Sequence, residues 1–131
     1  MIPSPHLKYQ QQSVQTASPS QLVIMLYDGA IRFLKLGIAG IEEKDYAKAN
    51  TNLQKVQNIV CELMASLDHQ YPIAKDLEAI YHYLLRLLIQ ANIHKEVKPA
   101  QEVLNHLSEL RDAWVQAAKN VQQSGVALKD V

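Results

Sequence analysis

The 131-residue sequence is poor in cysteine and glycine, with a single cysteine, Cys61, and only four glycines. One cysteine cannot close an internal disulfide, so a secreted scaffold held by disulfides is excluded and a reducing cytoplasm is favoured. So few glycines, three of them inside predicted helices, leave no glycine-rich phosphate-binding loop. Cys61 lies beside an apolar helical stripe with no adjacent His or Lys, and we predict a small core residue rather than a nucleophile.

An excess of charge of either sign is also missing, because 13 Lys and Arg residues balance 13 Asp and Glu residues. Proteins that bind nucleic acid usually carry a basic excess or a basic face, and the sequence contains no Lys/Arg cluster. Aromatic residues make up only 6% of the chain, which gives little support to a base-stacking surface. We therefore expect no nucleic-acid partner.

No apolar run suits a membrane span. The longest apolar stretch, residues 22–41, contains Asp28, Arg32 and Lys35, and each of these would cost about 2.5–3.5 kcal/mol near a bilayer centre. The N-terminal sequence MIPSPHLKYQQQS lacks the basic start and apolar run of a secretory signal peptide. We expect a soluble, cytoplasmic protein without membrane insertion.

Helical periodicity is what the sequence does contain, in four segments. Helix starts are indicated at Ser18-Pro19, Asp45, Pro72 and Lys98-Pro99. Each segment carries one stripe of apolar side chains at spacings of three and four, and no strand-like alternation occurs. The predicted fold is all-α, an antiparallel up-down four-helix bundle with an N-terminal arm and a short C-terminal tail. The predicted ranges are 1–17 for the arm, 18–120 for the bundle (helices about 19–42, 45–68, 72–93 and 99–120) and 121–131 for the tail.

The first helical segment contains the sequence MLYDGAIRFL, in which Asp28-Gly29 between apolar runs would also suit a β-hairpin. On a helix at about 100° per residue the charged side chains fall on one narrow stripe, with Asp28 and Arg32 as an i,i+4 pair. We therefore predict a helix that is apolar around most of its circumference. Gly29, Gly37 and Gly40 each cost roughly 1 kcal/mol relative to Ala in a helix, which indicates that another backbone approaches closely.

Two interpretations of this apolar excess stay open: a central, well-buried helix, or a surface that a partner covers. The residues offer little chemistry in support of an enzyme. Glu78/His82 and Glu102/His106 are i,i+4 pairs, but di-metal bundles use Glu-x-x-His pairs that point into the core, whereas these flank the apolar stripes. We predict solvated pairs, no cofactor and no catalytic site, with a metal-dependent bundle enzyme as an alternative.

A family resemblance is carried by three segments in order. The string YQQQSVQTASPSQLVIMLYDGAIRFL, from Tyr9, resembles the flagellin-specific export chaperones of bacteria, the FliS family, in its Ser-Val, Ser-Pro and Met-Leu-Tyr-Asp-Gly-Ala elements. IYHYLLRLLIQANI (80–93) and LRDAWVQA (110–117) resemble two later helices of that family. The chain departs from the family pattern at His82, where Asp is frequent, and at Leu87, where a second Arg is frequent.

The resemblance implies a cytoplasmic chaperone that binds the C-terminal region of flagellin, prevents premature polymerisation and assists delivery to the export apparatus. It also implies the cytoplasmic domain of the flagellar export gate as a second partner, and an arm that yields its apolar surface to the client. A client that folds on a bundle needs apolar grooves. The predicted partner-binding residues are Tyr9, Val14, Leu22, Met25, Leu26, Tyr27, Ile80, Tyr81, Leu84, Leu85, Leu87, Leu88, Ala91, Asn92 and Trp114. A self-associating helical adaptor, with the apolar excess as a homo-oligomer interface, is the main alternative.

Overall fold

The protein is an antiparallel bundle of four helices in the computed structural model, which describes the backbone of residues 19–124 and the side chains of residues 19–120. The helices are α1 (Pro19–Glu42), α2 (Tyr46–Ala65), α3 (Pro72–His94) and α4 (Val97–Ser124), and the described chain contains no strand. Short turns reverse the chain between successive helices. The predicted all-α, up-down architecture is confirmed. The predicted arm, the Ser18 cap and the residues after Ser124 lie outside the described residues.

Local sequence signals account for the helix starts. The Asp45 carboxylate accepts a hydrogen bond from the Lys48 backbone N–H at 3.1 Å, as expected of an N-cap. Pro72 occupies the start of α3, where its missing N–H costs nothing. Helix α4 begins at Val97, before the predicted start at Pro99. Pro99 is tolerated there because N–H groups in a first helical turn have no intrahelical acceptor.

Each helix buries its apolar stripe against two neighbours. Helix α1 packs against α2 and α4, and α3 packs against the same two helices, so α1 and α3 lie diagonally opposite. Tyr27 of α1 and Tyr81 of α3 meet across the core, with their hydroxyl oxygens 2.5 Å apart. The third-helix stripe therefore runs through Tyr81, while Ile80 is 36% exposed. No polar or charged residue among those described is buried apart from these tyrosine hydroxyls.

The three helical glycines of α1 differ in what surrounds them. A Cβ on Gly40 would lie 2.6 Å from the backbone nitrogen of Ala49, so the expected close approach of another backbone is confirmed there. At Gly37 the nearest atom is the Leu53 side chain, at 2.9 Å. At Gly29 the expectation is wrong, because a Cβ would meet only the Ile59 side chain at an ordinary 3.6 Å.

Burial is uneven along α1 and α4. Fully buried side chains of α1 begin at Tyr27, and those of α4 end at Leu107. The apolar residues before Tyr27 and after Leu107 are only partly covered. They lie at the same end of the bundle because the two helices are antiparallel. We call this region, residues 19–26 of α1 and 110–120 of α4, the open end. Its half-buried large apolar side chains are Leu22, Val23, Ile24, Leu26, Leu110, Trp114 and Val115.

Candidate partner-binding surface

The structure divides the predicted partner-binding residues by depth. Five lie in the core at 0–1% exposure, where a partner on the outside of the bundle does not reach them: Tyr27, Tyr81, Leu84, Leu88 and Ala91. They can only support a surface from beneath. The side chains that reach solvent are Met25 and Ile80, both exposed, and the half-buried Leu22, Leu26, Leu85, Leu87, Asn92 and Trp114. Tyr9 and Val14 lie outside the described residues.

Exposed large apolar side chains concentrate on α3. Of the seven found in the described chain, four belong to this helix: Ile73 (51% exposed), Ile80 (36%), Ile89 (47%) and Ile93 (69%). The remaining three are Met25, Leu36 and Tyr46. The contacts predicted on α3 were stripe residues together with neighbours such as Leu85 and Leu87, and they did not include Ile73, Ile89 or Ile93. Ile89 and Ile93 lie outside the apolar stripe of α3, and that position is the signal that could have found them. Ile73, four residues before Leu77, continues the stripe into the first turn of the helix and carries no such signal.

Polar groups lie beside this apolar surface where α3 meets its neighbours. The Tyr83 hydroxyl donates a hydrogen bond to the Glu102 carboxylate of α4, and this bond raises the pKa of Tyr83. His106 Nε2 lies 3.4 Å from the same carboxylate. On the α2 side, Asn92 Nδ2 donates to Asn50 Oδ1 at 2.9 Å. The α3 surface is therefore held by hydrogen bonds to both adjacent helices.

The expected Glu–His pairs are formed only in part. Glu102 pairs with His106 as predicted, whereas Glu78 pairs with His69 at 3.3 Å instead of with His82. In all these side chains a large fraction of the surface is exposed, as expected for solvated pairs. Within residues 19–120, no three His, Cys, Asp or Glu side chains come together in a way that could hold a metal ion.

Helix α1 is tied to α4 and α2 by charged side chains. Asp28 Oδ1 accepts a hydrogen bond from Arg111 Nε at 2.7 Å, which raises the pKa of Arg111. The predicted Asp28–Arg32 pair is therefore wrong, because a cross-helix partner replaces it. Arg32 instead lies over the Phe33 ring, 4.9 Å from its centroid, and Lys55 of α2 lies over the same ring at 4.9 Å.

The tyrosine pair in the core forms a small buried hydrogen-bond network. Burial raises the pKa of both Tyr27 and Tyr81, so both phenols are neutral at physiological pH. Trp114, which is half-buried and packs against the core, acts in the opposite direction and lowers the pKa of Tyr27. Trp114 thus links the open end of α4 to the bundle centre.

Cys61 is not the core residue that the sequence predicted. It is exposed on α2. It follows the buried Val60, and one residue on a helix is a rotation of about 100°, enough to leave a narrow core stripe. None of the helices in the described part of the chain is both long and apolar enough to cross a membrane.

Comparison with known proteins places the chain among flagellar proteins. The family model described as "Flagellar protein FliS" matches residues 3–121. The "Flagellar secretion chaperone FliS" of Bacillus subtilis is 40% identical over 119 residues, which cover 91% of this chain and 90% of that protein. The proteins of the same name from Salmonella typhimurium and Escherichia coli are 36% identical over 109 residues and 32% identical over 107 residues. The Salmonella typhimurium alignment covers 81% of this chain and 81% of that protein, and the Escherichia coli alignment covers 79% of each.

Proposed function

This chain belongs to the FliS family of flagellar proteins, and we propose on that basis that it is a cytoplasmic, non-enzymatic export chaperone that binds the C-terminal segment of flagellin. Binding would prevent flagellin from polymerising prematurely and assist its delivery to the export apparatus. The observation that supports this most directly is the concentration of exposed apolar side chains on α3. A monomeric bundle has no structural need for them, since its core is already filled by the stripe residues.

The extent of this apolar surface suits a long client better than a small ligand. From Ile73 to Ile93 the exposed residues span 20 positions, or about 30 Å of helix at 1.5 Å per residue. At about 100° per residue, Ile73 and Ile80 lie on one side of α3 and Ile89 and Ile93 on the opposite side, so a client that contacts all four must wrap around the helix. A client segment that is disordered when free must offset its ordering cost through an extended interface. Helix-in-groove contact is the recognition mode that such a surface favours.

Complex formation is the first test. Sedimentation velocity of the full chain, alone and with a peptide from the C-terminal region of flagellin, should show a defined complex that is absent without peptide. A self-associating adaptor would instead show a concentration-dependent oligomer that the peptide leaves unchanged, and that outcome would count against the proposal.

Charge substitution on α3 locates the surface. Ile89→Asp and Ile93→Asp introduce a carboxylate at exposed sites, and we expect each to weaken peptide binding about ten-fold or more. Gln90→Asp, at an exposed polar site on the same helix, is the matched control and should leave affinity unchanged. Leu85 and Leu87 are less suitable because both are half-buried and pack against the core. Circular dichroism confirms folding. Wild-type affinity in all three variants would remove the side of α3 that carries Ile89 and Ile93 from the interface.

The arm is a proposed competitor for the same surface. Tyr9 and Val14 are its apolar anchors, and a purely competing arm predicts that deletion of residues 1–16 tightens peptide binding. Unchanged affinity would remove the arm from the mechanism. Delivery also requires a docking partner, which we propose is the cytoplasmic domain of the flagellar export gate.

A further inference from the structure

Two cations share one aromatic ring on the surface between α1 and α2. Arg32 and Lys55 are exposed, and both lie over the half-buried ring of Phe33. Within residues 19–120, no carboxylate forms an ion pair with either of them. The nearest acidic residue along α2 is Glu62, seven positions from Lys55, about two helical turns away. Asp28, one turn before Arg32 on α1, pairs with Arg111 instead. The site therefore combines apolar surface with two cations that form no ion pair among the described residues.

Exposed apolar side chains continue from this site along α1. Met25 (36% exposed) and Leu36 (41%) lie on the same side of the helix as Phe33, with Gly29 between them. The spacings 25, 29, 33 and 36 follow one helical stripe. We call this stripe, together with Arg32 and Lys55, the cationic groove.

Gly29 is a further unusual feature of the cationic groove, because it lies in the middle of a helix. A mid-helix glycine costs about 1 kcal/mol relative to alanine, and the interior of the bundle does not require one, because a Cβ would meet Ile59 only at 3.6 Å. Gly29 is only partly buried, so the missing side chain leaves a notch on the outside. A notch in an apolar stripe allows another helix to approach closely.

We propose that the cationic groove docks an amphipathic helix that carries a carboxylate, and that this helix is part of the client; the inference rests on the proposed chaperone function. The apolar face of the docked helix packs on Met25 and Leu36, and its backbone approaches over Gly29. Its carboxylate pairs with Arg32 and Lys55 at the edge of the apolar contact. Such pairs set register and selectivity more than total affinity.

Charge distinguishes this occupant from the chain's own terminal segments. Residues 1–18 contain no Asp or Glu, so they cannot supply a side-chain carboxylate. Residues 121–131, which comprise the last turn of α4 and the segment after it, contain one acidic residue, Asp130. Helix α4 packs on a different flank of α1, marked by the Asp28–Arg111 pair. A carboxylate for this groove is therefore best supplied by another protein.

Charge reversal tests the proposal. We compare Arg32→Glu/Lys55→Glu with Lys35→Glu/Lys75→Glu, a control with the same change in net charge at exposed positions outside the groove. The probe is a peptide from the C-terminal region of flagellin, with affinity measured by isothermal titration calorimetry at low and high salt. At low salt the groove variant should bind the peptide about ten-fold more weakly than wild type does, and at high salt its loss of affinity should be smaller. The control variant should bind less than two-fold more weakly than wild type at either salt concentration.

A second peptide, with every Asp and Glu replaced by Asn and Gln, separates charge from packing. It should bind the wild-type chain more weakly than the native peptide does, and it should not distinguish the groove variant from the control. Equal binding of both peptides to wild type, or equal losses in both double variants, would overturn the inference. Failure of the native peptide to bind wild type at all would instead overturn the proposed function.

Two further measurements control for unfolding of the variant and for occupation of the groove by residues 1–18. Thermal unfolding should show that the groove variant is folded, and Arg32→Gln/Lys55→Gln replaces it if it is not. The comparison is then repeated in a chain that lacks residues 1–18. Persistence of the ten-fold loss supports docking of the client, whereas its disappearance would identify residues 1–18 as the occupant and refute the assignment.

Discussion

At the scale of single residues, Gly29 and Gly40 show that the same residue type meets different constraints on one helix. Gly40 lies against the backbone of α2, and a methyl group there would be 2.6 Å from the Ala49 nitrogen. Gly29 meets no such obstacle, since its nearest neighbour is a flexible side-chain methyl of Ile59. Packing inside the bundle therefore requires glycine at position 40 and leaves it optional at position 29.

Alanine substitution should change stability in opposite directions at these two sites. Gly29→Ala removes the conformational entropy cost of a mid-helix glycine and should raise the free energy of unfolding by about 0.5–1 kcal/mol. Gly40→Ala forces α1 and α2 apart and should lower it by about 1–3 kcal/mol. Urea unfolding followed by circular dichroism measures both. A loss of stability in Gly29→Ala would show that its interior neighbours are less accommodating than their distances indicate.

Single-residue expectations from the sequence held where one local rule decides the outcome. The Asp45 cap depends only on a side-chain oxygen three residues before a backbone N–H, so it could be predicted. Cys61 and the Asp28–Arg32 pair could not, because their outcome depends on which other helix lies nearby. Arg111 is 83 positions away in sequence and competes successfully for Asp28.

At the scale of helices, α4 is divided into two halves that differ in burial. Val103 and Leu107 of its first half are fully buried, whereas the described side chains from Leu110 to Asn120 are all at least partly exposed. The matching stretch of α1, before Tyr27, is also incompletely covered. Regions with few buried apolar contacts open at a smaller free-energy cost than the core does.

Hydrogen exchange should resolve these two halves. We expect the amides of residues 110–120 to exchange faster than those of residues 100–107, because local opening of the open end does not require loss of the core. Mass spectrometry of peptic peptides from the native chain measures the difference. Equal protection along α4 would contradict this, and it would imply that the helix opens only when the whole bundle unfolds.

Helix existence was easier to predict from the sequence than helix ends. The stripes at spacings of three and four identified all four helices, because burial of one face imposes that period on any helix of a bundle. The end of α2 at Ala65 and the start of α4 at Val97 were harder to predict. Frayed turns leave weak signals, and a proline in a first turn does not show how many residues precede it.

At the scale of the whole molecule, the pairing of Tyr27 with Tyr81 joins diagonally opposite helices through the core. Two hydroxyls buried together satisfy each other, whereas one left alone would lose its hydrogen bond in an apolar surrounding. Tyr27→Phe alone should therefore be more damaging than Tyr27→Phe/Tyr81→Phe. The pair also makes the folded state sensitive to high pH.

Stability should decline at alkaline pH. Burial raises the pKa of Tyr27 and Tyr81 above the value of about 10 in the unfolded chain. The stabilisation is fully present below pH 10 and is lost as pH rises further, because the unfolded chain then releases protons that the folded chain retains. The loss approaches about 1.4 kcal/mol per pH unit for each proton that the unfolded chain has released and the folded chain still retains. Urea unfolding between pH 8 and 11 measures it, and Tyr27→Phe/Tyr81→Phe should show a shallower decline; an identical decline would indicate other groups.

The candidate surface was less predictable than the fold. Stripe residues such as Leu84 and Leu88 were selected as partner contacts, yet they fill the core. Which flank of a helix stays uncovered is set by the packing of its neighbours, which a single helical period does not encode. The exposure of Ile73, which continues the stripe of α3, could be recognised only once the neighbouring helices were in place, whereas the position of Ile93 outside the stripe already indicated its exposure.

The even number of helices has a mechanical consequence. Pro19 of α1 and Ser124 of α4 lie at the same end of the bundle, on adjacent helices. A force applied across these two residues pulls α1 and α4 apart from the open end, so contacts break a few at a time, as in a zipper. Shearing, in which many contacts resist together, would need force applied at opposite ends. The chain should therefore yield to low forces in a single-molecule pulling experiment, whatever its resistance to urea.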